Sequence, residues 1–86
     1  MALFVIERNF AEQLDLSADD VNHITLINDD SDVKWLYSFL SADKKKTYCL
    51  YEAANAAAIR DAAKKANIPA DVIIEISEMV RPEAFA

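Results

Sequence analysis

The sequence predicts an α+β sandwich, a four-stranded antiparallel sheet with two helices on one face. Three observations predict it. Strand-like and helix-like segments alternate in the order βαββαβ. Between residues 33 and 76 a hairpin, a helix and a closing strand follow one another without a long gap. The 86 residues are 53% hydrophobic, which suits one small domain over residues 1–86 with a filled core or an additional interface. A chain of this size buries only about 60% of its unfolded surface, so little is left over for a second domain.

Residues 3–8, LFVIER, are apolar and then abruptly charged, as in a central strand that ends at a rim. Residues 9–16 read as a loop. Ser17, followed three residues later by Asp20, resembles a helix N-cap with acidic residues where the helix dipole favours them. Val21, Ile24 and Ile27 or Asn28 then share one face at helical spacing, predicting a helix over 17–28. The acidic run 28–32 reads as a loop.

Residues 33–41 alternate, with Trp35, Tyr37 and Phe39 on one side, and residues 47–52 are β-branched and aromatic. Pairing the two across Asp43, Lys44 and Lys45 gives a hairpin in which Phe39 faces Cys49 and Tyr37 faces Tyr51. Lys44 or Lys45 then takes a conformation that glycine would fill more easily. Asn55 is a good N-cap for a helix over 56–66, whose stripe of Ile59, Ala62, Ala63 and Ala66 implies close packing on the sheet. Asn67 suits the left-handed cap and Pro69 blocks continuation. In the last strand, Val72, Ile74 and Ile76 are expected to face the core, leaving Ile73, Glu75 and Ser77 on the other side.

Two βαβ units interleaved in this way make the ferredoxin-like sandwich. The face of the sheet away from the helices is expected to carry Trp35, Tyr37, Phe39 and Tyr51, too apolar a set to meet water alone. A second copy of the chain is expected to cover it, so a homodimer is the expected assembly.

The composition excludes several classes of function. There is no glycine, so neither a phosphate-cradling P-loop nor a dinucleotide fingerprint is present, and no nucleotide cofactor is expected. A nucleophile elbow is missing for the same reason. Nine basic against fifteen acidic side chains give a net charge of −6; the one basic run, Lys44 to Lys46, is no footprint for nucleic acid. The apolar runs are strand-length, far short of the roughly 20 residues of a spanning helix, so no membrane is implied. A single cysteine, Cys49, cannot close an internal disulfide and suits a reducing cytoplasm.

The stretches LFVIERNF, VKWLYSFLS, KKKTYCLYEA, AIRDAAKKANIPAD and VIIEI resemble a family of small bacterial ferredoxin-like domains of formerly unknown function, described as nickel-binding or nickel-responsive proteins. The resemblance covers nearly the whole chain and implies the same fold, with nickel or another divalent metal as ligand. Members of that family often carry a histidine where this chain has Tyr37, and a glycine where it has Lys44. Imidazole suits nickel far better than a neutral phenol.

The candidate ligating residues are Glu7 and Cys49. A thiolate at Cys49 would suit a soft metal or redox chemistry; free cysteine is also among the most buried residue types and fits a core position equally. Glu7 and Glu52 each end a strand. With the first and third strands expected adjacent and parallel, both would meet at one rim with Arg8, Trp35 and Asp71. Such a cluster could hold a cation or do acid–base chemistry, or close the sheet edge as a Glu–Arg pair. Glu75 is a further oxygen donor if it lies on the open face. His23, the only histidine, has no partner at metal-ligand spacing and reads as structural. Trp35, Tyr37 and Tyr51 are the candidate ligand-binding residues. Two functions fit: a homodimeric protein that binds a metal or small ligand at the open face, or a dimeric ferredoxin-like enzyme of isomerase or oxygenase type using Glu7, Tyr37 or Cys49. The lack of a paired catalytic motif favours the binding protein.

Overall fold

The computed structural model describes residues 1–78 and 80–85. Its elements are β1 (Ala2–Asn9), α1 (Ala18–Asp30), β2 (Lys34–Leu40), β3 (Lys46–Ala53), α2 (Ala56–Ala66), β4 (Val72–Ile76) and a 3-10 turn at Pro82–Phe85. The strands form one sheet in the order β2-β3-β1-β4, with each neighbouring pair antiparallel. This is the ferredoxin-like βαββαβ arrangement.

Both helix starts are capped as their sequences dictate. The Ser17 hydroxyl accepts from the Asp20 amide and the Asp20 carboxylate accepts from the Ser17 amide, both at 3.1 Å. This reciprocal box satisfies two amides at once. Asn55 accepts from the Ala58 amide at 2.9 Å, and Asn67, at φ 56°, ends α2 in the left-handed conformation. Helix α1 runs on to Asp30, two residues past its expected end and into the acidic stretch expected to be a loop. Asn28 is buried there and extends the stripe of Val21, Ile24 and Ile27 by one more residue.

The core lies between sheet and helices. Phe4 and Ile6 of β1, Cys49, Tyr51 and Ala53 of β3, and Val33 meet Ile59 and Ala62 of α2. Burying a side chain such as Ile59 contributes about 1.5–3 kcal/mol. The small alanines beside it let the helix approach the sheet closely.

Three expectations are corrected. First, β1 and β3 are antiparallel, with Leu3 opposite Glu52 and Glu7 opposite Tyr48. The β1–α1–β2 crossover sets β1 parallel to β2, and the hairpin reverses β3, so β1 and β3 must oppose each other. Second, β4 has the opposite phase. Val72 pairs with Glu7, Ile74 with Val5 and Ile76 with Leu3 on the open face, while Ile73 pairs with Ile6 and packs on the core. Glu75 pairs with Phe4 and so lies on the helical side. VIIEI is apolar at both phases, so alternation alone could not choose.

Third, the hairpin register differs by one residue. Phe39 faces Tyr48 and Tyr37 faces Leu50. The turn holds four residues between Ser41 and Lys46, because the Ser41 amide donates to the Lys46 carbonyl at 2.9 Å. The Ser41 hydroxyl accepts from the Lys46 amide and donates to Asp43, which also accepts from the Lys45 amide. Lys44 sits at φ 62°, as the turn reading anticipated. A register change by one residue exchanges the two faces of a strand.

Candidate functional site

The register of β2 shifts again between Trp35 and Tyr37. Beyond that irregularity Trp35 stands opposite Tyr51 and Lys34 opposite Glu52. Trp35 and Tyr51 therefore share the helical side, their rings stacked at 6.4 Å with 13° between planes. Tyr37 and Phe39 lie on the open side, edge to face at 5.6 Å. The four aromatics expected on one face are divided two and two: the hairpin register sets Tyr51 apart from Tyr37 and Phe39, and the irregularity at Leu36 sends Trp35 to the side of Tyr51.

The open face is nonetheless apolar. Leu3 and Val5 of β1, Leu50 and Tyr48 of β3, and Val72, Ile74 and Ile76 of β4 join Tyr37 and Phe39. Phe39 is 64% exposed and Ile74 54%. Four strands about 4.8 Å apart, each presenting several residues, make a face on the order of 300 Å² in projection. The largest apolar patch of a typical monomer, about 300–600 Å², is often functional. Charges of both signs border it: Glu7 pairs with Lys46 at 3.8 Å at one end, and Lys34 stands opposite Glu52 at the other.

The helical side holds a cleft of about 390 Å³, its open mouth included. Trp35, Tyr51 and Arg8 line it together with Phe10, Leu14 and Ile24. Arg8 is only 3% exposed. Its Nη1 donates to the Pro69 carbonyl at 2.6 Å, and its guanidinium carbon lies 5.6 Å from the centre of the Tyr51 ring. The Asn28 amide donates to the Tyr51 hydroxyl at 3.4 Å. Burial pushes the Tyr51 phenol above its ordinary value; the Arg8 charge and the Asn28 bond pull it down by less.

The structure separates the two candidate metal ligands. Glu7 is on the open face. Cys49 is on the helical side, buried, its thiol donating to the Thr47 hydroxyl at 3.6 Å. Glu52 lies at the far end of the ladder from Glu7, so the expected rim cluster does not form. Asp71 does reach Glu7: its amide donates to the Glu7 carbonyl and its carboxylate accepts from the Asn9 amide, fastening β4 onto β1. His23 is exposed on α1. Among the described residues no three His, Cys, Asp or Glu side chains are grouped to hold a metal ion. Of the candidate ligand-binding residues, Trp35 and Tyr51 meet in one cleft and Tyr37 does not. Arg8 was legible only as a rim charge; its place in the Phe4, Ile6, Arg8 alternation was the signal, and the apolar Leu3 and Val5 of the other phase hid it.

Residues 4–76 match the family model for the nickel-responsive protein SCO4226-like proteins. The chain belongs to that family. Among solved structures, the crystal structure of SCO4226 from Streptomyces coelicolor A3(2) is similar, with a TM-score of 0.72 and 19% sequence identity. The alignment covers 92% of this chain and all of that one; at such identity the likeness bears on the fold. No curated protein matches the sequence. Among the described residues no helix is long and apolar enough to cross a membrane.

Proposed function

We propose that the chain is a small binding protein that works as a homodimer, with the open sheet face as the surface on which two copies meet and between which a ligand is held. The observation that carries this reading is the exposure of Tyr37, Phe39, Tyr48, Val72 and Ile74 on that one face. The bordering charges support a second copy as the occupant. Each end of the face carries one cation and one carboxylate, Glu7 with Lys46 and Lys34 with Glu52. Two-fold pairing of such a face can set unlike charges against each other, as an isologous contact requires. A strongly charged foreign partner would find no net charge to complement. The free Cys49 supports a reducing, cytoplasmic setting.

The family description supports nickel, or another divalent metal, as the first ligand to test. The donors of one chain do not fit such an ion, since Glu7, Cys49 and His23 lie on the open face, the helical side and α1 respectively. A metal site would have to draw donors from both copies, with Glu7 first among them. Protein purified from nickel-supplemented medium, dialysed and assayed for metal, tests this. The reading expects retained nickel and a rise in Tm on adding nickel, both lost in Glu7→Ala. Absence of both in the parent protein would exclude the metal while leaving the dimer to be decided by mass.

A further inference from the structure

We propose that residues 10–16 form a strap over the cleft on the helical side, released as one unit by the hairpin tip and so controlling access to Cys49 and to the Trp35–Tyr51 wall. Both ends of this segment are fixed. The Asn9 amide donates to the Asp71 carboxylate at 2.6 Å, and Ser17 opens α1 through its capping box with Asp20. Between those anchors the chain forms neither helix nor strand. Two backbone bonds fasten its middle, from the Phe10 amide to the Lys45 carbonyl at 2.8 Å and from the Leu14 amide to the Lys44 carbonyl at 2.6 Å. Both acceptors belong to the tip of the β2–β3 hairpin, so the tip holds the strap.

The strap is also a wall of the cleft. Phe10, Leu14 and Leu16 line it together with Trp35, Cys49 and Tyr51 of the sheet. Its hold there is slight. Phe10 and Leu14 are half-buried, Leu16 is 41% exposed, and Glu12, Gln13 and Asp15 are exposed. Lifting the strap therefore uncovers little apolar surface and breaks two backbone bonds, the conditions under which a segment opens well below the free energy of global unfolding. The tip in turn depends on a local device. Lys44 sits at φ 62°, a region that disfavours a side chain. Asp43 braces the turn by accepting from the Ser41 hydroxyl and the Lys45 amide. Loosening that turn moves the adjacent Lys44 and Lys45 carbonyls together, so both strap bonds fail at once.

Cys49 is the one cysteine of the chain and is 5% exposed, so its labelling reports opening. The test follows native-state hydrogen exchange of the full chain at the Phe10 and Leu14 amides, beside the rate at which methyl methanethiosulfonate labels Cys49. In the parent, Phe10 and Leu14 should share one protection factor, at least about tenfold below those of Ile6 and Leu50 in the two central strands. Cys49 should label at least about tenfold faster than global unfolding allows. Asp43→Ala should accelerate both amides and the labelling by one common factor, about threefold or more. If Asp43→Ala does not fold, the shared protection and the labelling rate of the parent decide. Protection at Phe10 and Leu14 equal to that at Ile6, separate factors for the two amides, or Cys49 labelling unmoved in a folded Asp43→Ala protein would overturn the proposal.

Discussion

Trp35 and Tyr51 stand opposite each other in the β2–β3 ladder, rings stacked at 6.4 Å, on the side of the sheet that faces the helices. Two residues further on, Tyr37 faces the other way, opposite Leu50. The irregular position Leu36 turns Trp35 to the side of Tyr51, while the hairpin register sets the face of Tyr37 and Phe39. Together they give the cleft its aromatic wall and the open face its Tyr37 and Phe39.

Tyr51 should ionise late. Its phenol is buried and its pKa raised above 10.0, so the folded state holds this proton more tightly than the unfolded chain does. The corresponding stability is fully present below pH 10 and is lost as pH rises through the folded value. A spectrophotometric titration should show a phenolate step above the ordinary tyrosine range that disappears in Tyr51→Phe. That variant also frees the Asn28 amide and should lower stability by about 1 kcal/mol. A titration curve unchanged by the substitution would contradict the burial.

Lys44 occupies the left-handed region at φ 62°, which costs a non-glycine residue about 1–2 kcal/mol. Lys44→Gly should relieve much of this while adding backbone freedom to the unfolded chain. The net expectation is a gain of up to about 1 kcal/mol, or about 4–8 °C in Tm for a domain of this size. A melting curve shifted downward would mean that the lysine makes a contact worth more than the strain.

Asp43 and Asp20 set the acid limit of local order. The Ser41 hydroxyl, and then the Lys45 amide, hold the Asp43 carboxyl below its ordinary value. The Ser17 amide and hydroxyl do the same for Asp20. Lowered values contribute stability above the unfolded pKa, about 3.9, and lose it as pH falls through the folded values. Ser41→Ala should therefore move the acid unfolding midpoint upward and speed amide exchange at Lys45 and Lys46. Unaltered exchange there would show that the turn does not depend on the serine.

Much of the fold was legible because several signals agreed at each element. Ser17 with Asp20, and Asn55 with Asn67, mark helix ends by hydrogen-bonding chemistry that does not need tertiary context. The strand faces were harder. LFVIER and VIIEI are apolar on both phases, and only pairing to neighbours decides that Ile73 goes in and Ile74 out. The hairpin register depended on one additional turn residue held by Ser41 and Asp43, and the position of Trp35 on an irregularity at Leu36; neither has a strong local signature. The two metal candidates fell on opposite sides of the sheet for the same reason, since Glu7 and Cys49 take their faces from a register the sequence states only weakly.

The open face should respond to a charge placed on it. Phe39→Asp replaces the most exposed aromatic of that face, far from the core cluster, and should leave stability within about 0.5 kcal/mol if the chain is alone. In a homodimer it buries a carboxylate against apolar surface and should prevent assembly. Multi-angle light scattering of parent and variant from about 1 to 100 µM is the most direct measurement. Twice the chain mass of 9.6 kDa is expected for the parent and the single-chain mass for Phe39→Asp. A parent protein that stays at the single-chain mass throughout would contradict the account.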